Sequence, residues 1–168
     1  MDEFEKAKSL IVERKYREAG MLLDKLLSKV KDDPELWYTR GILSLKLKNY
    51  DKAHECFENA IMLENKAKYH KTKGMAHLEM FEVDEAVESF ENALEQEKKD
   101  PSLYFFMSVC YMLLNDPRGK EYMERAYLVN PKKTKQLITN FYEAFFEKDP
   151  NVSENVKKEL KKRVDDIK

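Results

Sequence analysis

Cysteine is nearly absent. Cys56 and Cys110 are the two in 168 residues, so there is no disulfide framework and a reduced, cytoplasmic chain is expected. Both sit in apolar helical contexts that suit packing better than nucleophilic attack. Glycine is as scarce: four glycines stand far apart, which excludes a glycine-rich phosphate loop. Histidine is limited to His54, His70 and His77. His54 and Cys56 point in different directions on a helix, and His70 with His77 would need further ligands that Glu79 is poorly placed to join, so no metal is expected. No Ser-His-Asp set or carboxylate pair follows a strand or loop, so neither catalysis nor a cofactor is expected. No apolar run approaches membrane-spanning length, and the acidic start Met1-Asp2-Glu3-Phe4-Glu5 lacks the regions of a secretion signal. A net charge of −1 leaves no field to attract nucleic acid, and acids dilute the one basic cluster at Lys157–Arg163. Neither a membrane nor a nucleic acid is an expected partner.

What the chain does contain is charge, at 38%, beside a modest 42% of hydrophobic residues, a balance that suits thin, solvated helical layers. All five prolines follow Asp or Asn: Asp33-Pro34, Asp100-Pro101, Asp116-Pro117, Asn130-Pro131 and Asp149-Pro150. An Asp or Asn oxygen accepts from the free amides of a first turn, and proline fits the first helical position, so each pair reads as a helix start. At the last pair, an Asn151–Glu154 capping box competes for that role. Between these marks, apolar residues recur every three or four positions, as in Tyr50, Ala53, Phe57, Ala60 and Ile61. No alternating segment suggests a strand. The pattern predicts ten helices of about 12–17 residues joined by short loops.

The pattern also repeats. Ala19, Ala53, Ala86 and Gly119 are spaced by 34, 33 and 33 residues. Leu23, Phe57, Phe90 and Met123 follow each by four, and Leu26, Ala60, Ala93 and Ala126 by three more. On the preceding helices Ala7, Gly41, Gly74 and Ser108 form a small-residue column. A mid-helix glycine costs about 0.5–1 kcal/mol relative to alanine, so Gly41 and Gly74 imply a close helix crossing that offsets it. Ala53 and Ala86 would answer them, with Phe57 and Phe90 filling the gap between pairs.

Trp37-x2-Arg40-Gly41 with Ala53-x3-Phe57, Gly74 with Ala86-x3-Phe90 and Ala93, and Ser108, Gly119, Met123, Ala126 and Pro131 together resemble the tetratricopeptide repeat. A weaker first copy runs through Ala7, Tyr16, Ala19 and Leu23. The resemblance implies an all-α, right-handed α-solenoid of stacked antiparallel helix pairs. Four repeats fall at about residues 1–33, 34–66, 67–100 and 101–133 of a single domain. Residues 134–168 read as a degenerate fifth pair, with Phe141 in the small-residue column. Its last helix carries the stripe Val152, Val156, Leu160, Val164 and Ile167 and acts as a cap.

In this family the first helix of each pair lines a concave groove. The residues so placed are Phe4, Lys8 and Ile11; Tyr38, Thr39, Ile42 and Leu45; Lys68, Lys71, Thr72, Met75 and Leu78; Phe105, Phe106, Val109 and Met112; and Ile138, Tyr142 and Phe145. Co-chaperone members clamp a chaperone's C-terminal carboxylate with basic and Asn side chains. Of the corresponding Phe4, Lys8, Thr39, Lys68 and Thr72, Lys68 alone matches, so that use is not expected. The expected function is a non-catalytic scaffold that binds an apolar or helical peptide of a partner protein. The candidate site is Tyr38, Ile42, Lys68, Lys71, Met75, Phe105, Val109 and Tyr142. The alternative is a homodimer or self-occluded module that uses the groove or the last helix as its interface.

Overall fold

The structure, a computed structural model, describes residues 2–166. Its helices are α1 (Glu3–Val12), α2 (Tyr16–Lys29), α3 (Pro34–Lys46), α4 (Tyr50–Leu63), α5 (Ala67–Glu79), α6 (Val83–Gln96), α7 (Pro101–Leu113), α8 (Arg118–Val129), α9 (Pro131–Tyr142) and α10 (Glu154–Asp165). A π-helical segment, Glu143–Glu147, extends α9. There is no strand among the described residues, and none of their helices is long and apolar enough to cross a membrane.

Three of the Asp/Asn-Pro pairs start helices as expected. Asp33 Oδ1 accepts from the amides of Glu35 at 2.9 Å and Leu36 at 3.3 Å. Asp100 takes the amide of Ser102 at 2.9 Å, and Asn130 that of Lys133 at 2.9 Å. Asp116 caps the amide of Arg118 at 2.8 Å, and α8 begins there, just past Pro117. At Asp149-Pro150 the expectation fails. Asp149 Oδ1 accepts from the Asn151 amide at 2.8 Å and so makes a turn. The Ser153 hydroxyl then starts α10 by accepting from the Val156 amide at 3.4 Å. Asn151 also donates its side-chain amide to Asp149, so it is engaged in the turn and the Asn151–Glu154 box does not form.

The turns inside the first four helix pairs share one geometry. Arg14, Lys48, Phe81 and Asn115 have φ of 60°, 56°, 60° and 54°. Each is followed by an amide that reaches five residues back: Lys15 to Leu10 (2.8 Å), Asn49 to Ser44 (2.9 Å), Glu82 to His77 (3.0 Å) and Asp116 to Tyr111 (2.8 Å). This is the left-handed helix stop usually given to glycine. Here Asn115 alone is a residue that tolerates it well; Phe81 is bulky, strained and 76% exposed.

The chain divides into two compact units, Met1–Lys98 and Lys99–Lys168. The first holds α1–α6, each helix packed on its neighbours, with α3 also touching α1 and α5. Its core includes Ala7, Ala19, Leu23 and Leu43 at one end and Ala53, Phe57 and Ala76 further on. The small-residue column works there, though differently from expectation. A Cβ on Gly41 would stand 2.5 Å from Phe57 Cε1, and one on Gly74 would stand 2.7 Å from Phe90 Cε1. What the glycines admit is the partner helix's phenyl ring rather than its backbone.

In the second unit α7 packs on α8 and α9, α8 on α9, and α9 on α10. Here two backbones do approach. A Cβ on Gly119 would lie 3.1 Å from the Met112 nitrogen and 3.2 Å from the Ser108 oxygen, and the Ser108 hydroxyl donates to the Gly119 carbonyl at 2.7 Å. Val152 lies just before α10 and is half-buried, Leu160 is half-buried and Val156 is exposed; Val164 falls within α10, and Ile167 of the expected stripe lies outside the described residues.

Candidate functional site

The eight candidate residues fall into two groups, one in each unit. Tyr38 and Ile42 on α3, and Lys68, Lys71 and Met75 on α5, belong to the first. The Tyr38 hydroxyl and the Thr72 hydroxyl are 3.0 Å apart, which joins the two helices one residue out of the 33-residue register of their repeats. The Tyr38 ring lies 5.0 Å from that of Tyr69 and 6.0 Å from that of Phe57, so its plane is held on several sides. Ile42 and Leu45 are half-buried against the Phe57 cluster, while Met75 is 37% exposed.

Lys68 is not a free cation. Its Nζ lies 2.5 Å from Glu35 Oε1 and 5.2 Å from the centroids of both Tyr38 and Tyr69. The Tyr69 hydroxyl donates to the same carboxylate oxygen at 2.6 Å. Burial opposes ionisation of Glu35, but hydrogen bonds from Lys68 and Tyr69 overcome it and hold its carboxyl below the usual range. Burial first, and then the Glu35 charge, push the Tyr69 phenol up. Lys68 therefore fixes the aromatic surface and is engaged at home, which removes the single match to the carboxylate clamp.

Phe105, Val109 and Tyr142 lie in the second unit and are 3%, 8% and 5% exposed. They are not surface anchors, because α7 is flanked by both α8 and α9. The Phe105 ring meets Phe106 at 5.4 Å and Phe141 at 5.9 Å, both edge-on, and the Tyr142 hydroxyl donates to the Lys157 carbonyl at 2.9 Å. These residues instead line a cavity of about 560 Å³ inside the second unit. α7 contributes Phe105 and Val109, α8 contributes Met123 and Tyr127, and α9 contributes Ile138, Phe141 and Tyr142. Phe146 and, from α10, Leu160 add to the wall, and Met112 and Leu113 of α7, each more than half exposed, leave it open at the surface. The sequence places Met123 in a repeat column but not in the candidate site, and Tyr127 in neither. A signal was available: Met123 stands in the phenylalanine column and Phe141 in the glycine column, so both columns break here.

A polar recess in the first unit gathers Tyr50, Asp51, His54, His77, Glu82 and Glu85. His77 Nδ1 is 2.7 Å from Glu82 Oε2, and the His54 ring meets that of His77 edge-on at 5.5 Å. His70 Nε2 instead faces Asn65 Oδ1 at 2.7 Å. Burial, aided by the Lys73 charge, pushes both His54 and His70 below the usual histidine range. Among the described residues no three His, Cys, Asp or Glu side chains converge as a metal site. Burial pushes the Cys56 thiol up to about 11 and Cys110 up to about 12, which leaves both protonated and unreactive at neutral pH.

Two tetratricopeptide-repeat family models match the chain, over residues 34–66 and 67–100. No curated protein matches it by sequence. Among solved structures, MamA of Desulfovibrio magneticus RS-1 superposes with a TM-score of 0.72 at 19% identity, covering 99% of this chain and 94% of that one. YrrB, described as a TPR protein with an unusual peptide-binding site, has a TM-score of 0.67 and 22% identity over 74% of this chain and 66% of its own. The first TPR of Spaghetti (RPAP3), bound to an HSP90 peptide, has a TM-score of 0.64 and 22% identity over 68% of this chain and 91% of its own.

Proposed function

The chain belongs to the tetratricopeptide-repeat family, and on that premise we propose that it is a non-catalytic protein-interaction scaffold. It holds an apolar or helical peptide of a partner against the α3–α5 face of its first unit. The observation that carries this reading is Met75. It projects from mid-α5 with 37% exposure beside the half-buried Lys71 and Thr72, on a face where the Tyr38–Thr72 bond already ties α3 to α5. An aromatic ring fixed in advance costs little ordering entropy on binding, and methionine adapts to many apolar shapes. The peptide-binding site described for YrrB and the HSP90 peptide bound to Spaghetti support the same use of the fold in this chain. Localisation in the cytoplasm accords with the two buried thiols.

The test compares the wild-type chain with Met75→Asp and Ile42→Asp as baits in the native cell extract. A partner held by this face should lose about 2 kcal/mol or more of binding when a hot-spot residue is replaced by a charge, roughly a thirtyfold drop. Helical content must stay unchanged in circular dichroism. A partner retained at full strength by both variants would remove the face from the site.

Self-occlusion is a second reading, and one observation favours it: α10 places Leu160 in the wall of the second unit's cavity and is tied to α9 by the Tyr142–Lys157 bond. Under that reading truncation before Ser153 would create partner binding in the second unit rather than abolish it.

A further inference from the structure

Phe81 is the residue of the first unit that folding alone explains least. It stands in the left-handed region with φ of 60°, where a bulky side chain is strained. Its ring is largely exposed, so little packing offsets that strain. Backbone strain of this kind gathers at functional positions. The surroundings of the ring are also of one sign. Residues 74–97 hold eight acids and no Lys or Arg. Of these acids, Glu79, Asp84 and Glu85 flank Phe81 in the chain and are exposed.

The second unit carries the counterpart. Its apolar space of about 560 Å³ between α7, α8 and α9 opens at the surface beside Met112 and Leu113. No residue of the wall is charged. An aromatic ring makes no hydrogen-bond demand, so such a wall accepts it without a polar partner. The charge around this opening is of the other sign. Residues 125–142, which supply Tyr127, Ile138, Phe141 and Tyr142 to the wall, hold four exposed bases, Arg125, Lys132, Lys133 and Lys135, and no acid. The whole units repeat the contrast. Residues 1–98 hold 21 acids and 17 bases, and residues 99–168 hold 11 and 14, so the first unit is net negative and the second net positive. A chain with a ring among acids in one unit and an apolar opening among bases in the other is complementary to its own copies. Its net charge of −1 leaves little repulsion between them. We infer that Phe81 of one copy enters the open apolar space in the second unit of another copy, a head-to-tail contact. The contact uses neither Met75 nor the α3–α5 face, and stands whether or not that face takes a peptide.

Sedimentation of the full chain, alone and with two variants, tests it. The wild type should show a mass that rises with concentration and falls as salt is added. Phe81→Asn removes the ring and suits the left-handed turn. Leu113→Asp sets a charge at the mouth of the apolar space. Each variant alone should lose self-association by about thirtyfold or more, as when a hot-spot residue is removed. Mixed in equal amounts, the two should pair one to one and grow no further, because the Leu113→Asp copy still offers its ring and the Phe81→Asn copy its open space. A wild type that stays monomeric up to about 1 mM would overturn the contact. So would undiminished self-association in either variant, or a mixture that stays monomeric where the wild type associates. Should Leu113→Asp fail to fold, undiminished association in Phe81→Asn would do so by itself.

Discussion

The first unit seats phenyl rings on glycines and carries Met75 at the edge of a surface; the second has Met123 and Ser108 in those columns and gathers Phe105, Phe141 and Tyr142 around an open apolar space. Phe57 and Phe90 are fully buried against glycines, whereas Met123 is half-buried beside empty space. The difference comes from one column of the repeat. Where the ring and the glycine are kept together, a helix pair packs densely. In α7–α8, where Ser108 and Met123 stand in their place, the pair still forms, with Ser108 bonded to Gly119, but Met123 borders an open apolar space. Backbone architecture and interior density are thus set by different residues.

The largest effect that would break this comparison is at the ring position. Phe90→Ala should cost about 3–5 kcal/mol, because dense packing cannot collapse around the loss. Met123→Ala should cost less, about 1–2 kcal/mol, since the side chain already borders a void. Urea unfolding followed separately in each unit by hydrogen exchange measures both, and equal costs would end the distinction. Gly74→Leu should cost about 1–3 kcal/mol or more by driving into the Phe90 ring, and an unchanged melting temperature would count against the glycine–ring pairing.

A smaller effect distinguishes the turns. Phe81 and Asn115 occupy the same left-handed position in the two units. Phe81→Asn should stabilise by about 0.5–1 kcal/mol, since an L side chain there is strained by roughly 1–2 kcal/mol and Asn relieves part of it. A loss of stability instead would mean that the exposed ring contributes packing. The smallest effect is in pH. All three histidines lie in the first unit. His54 and His70 are held below the ordinary value of 6.5 by burial, so the unfolded chain binds more protons there. The first unit should therefore lose stability as pH falls from about 6.5 through the depressed values, while no histidine does this to the second. Equal loss in both units between neutral pH and the carboxylate range would contradict it.

Much of the fold was legible because its signals are periodic. The Ala and Gly columns, and the Asp-Pro and Asn-Pro pairs at residues 33, 100 and 130, marked repeats and helix starts correctly. The turn at Asp149 was not, since a side chain that caps a helix also makes a tight turn and the choice rests on Ser153. The left-handed column went unread because none of its members is glycine. The site was legible in part. Glu35 with Lys68 is one 33-residue repeat apart, and Tyr38 with Thr72 one residue more, so both pairings join neighbouring turns once repeats are stacked. The burial of Phe105 does not follow from amphipathic pattern. α7 buries most of its circumference, including Leu103, Phe105, Met107, Val109 and Tyr111, because helices flank it on more than one side.

The central claim is that the first unit's α3–α5 face is where a partner is held. A photo-crosslinking amino acid at position 75, irradiated in the native cell extract, addresses it most directly. The account predicts a crosslink to a different polypeptide, lost when Ile42→Asp is introduced alongside. A crosslink to a second copy of this chain or to its own residues, or the same foreign crosslink surviving Ile42→Asp, would contradict it.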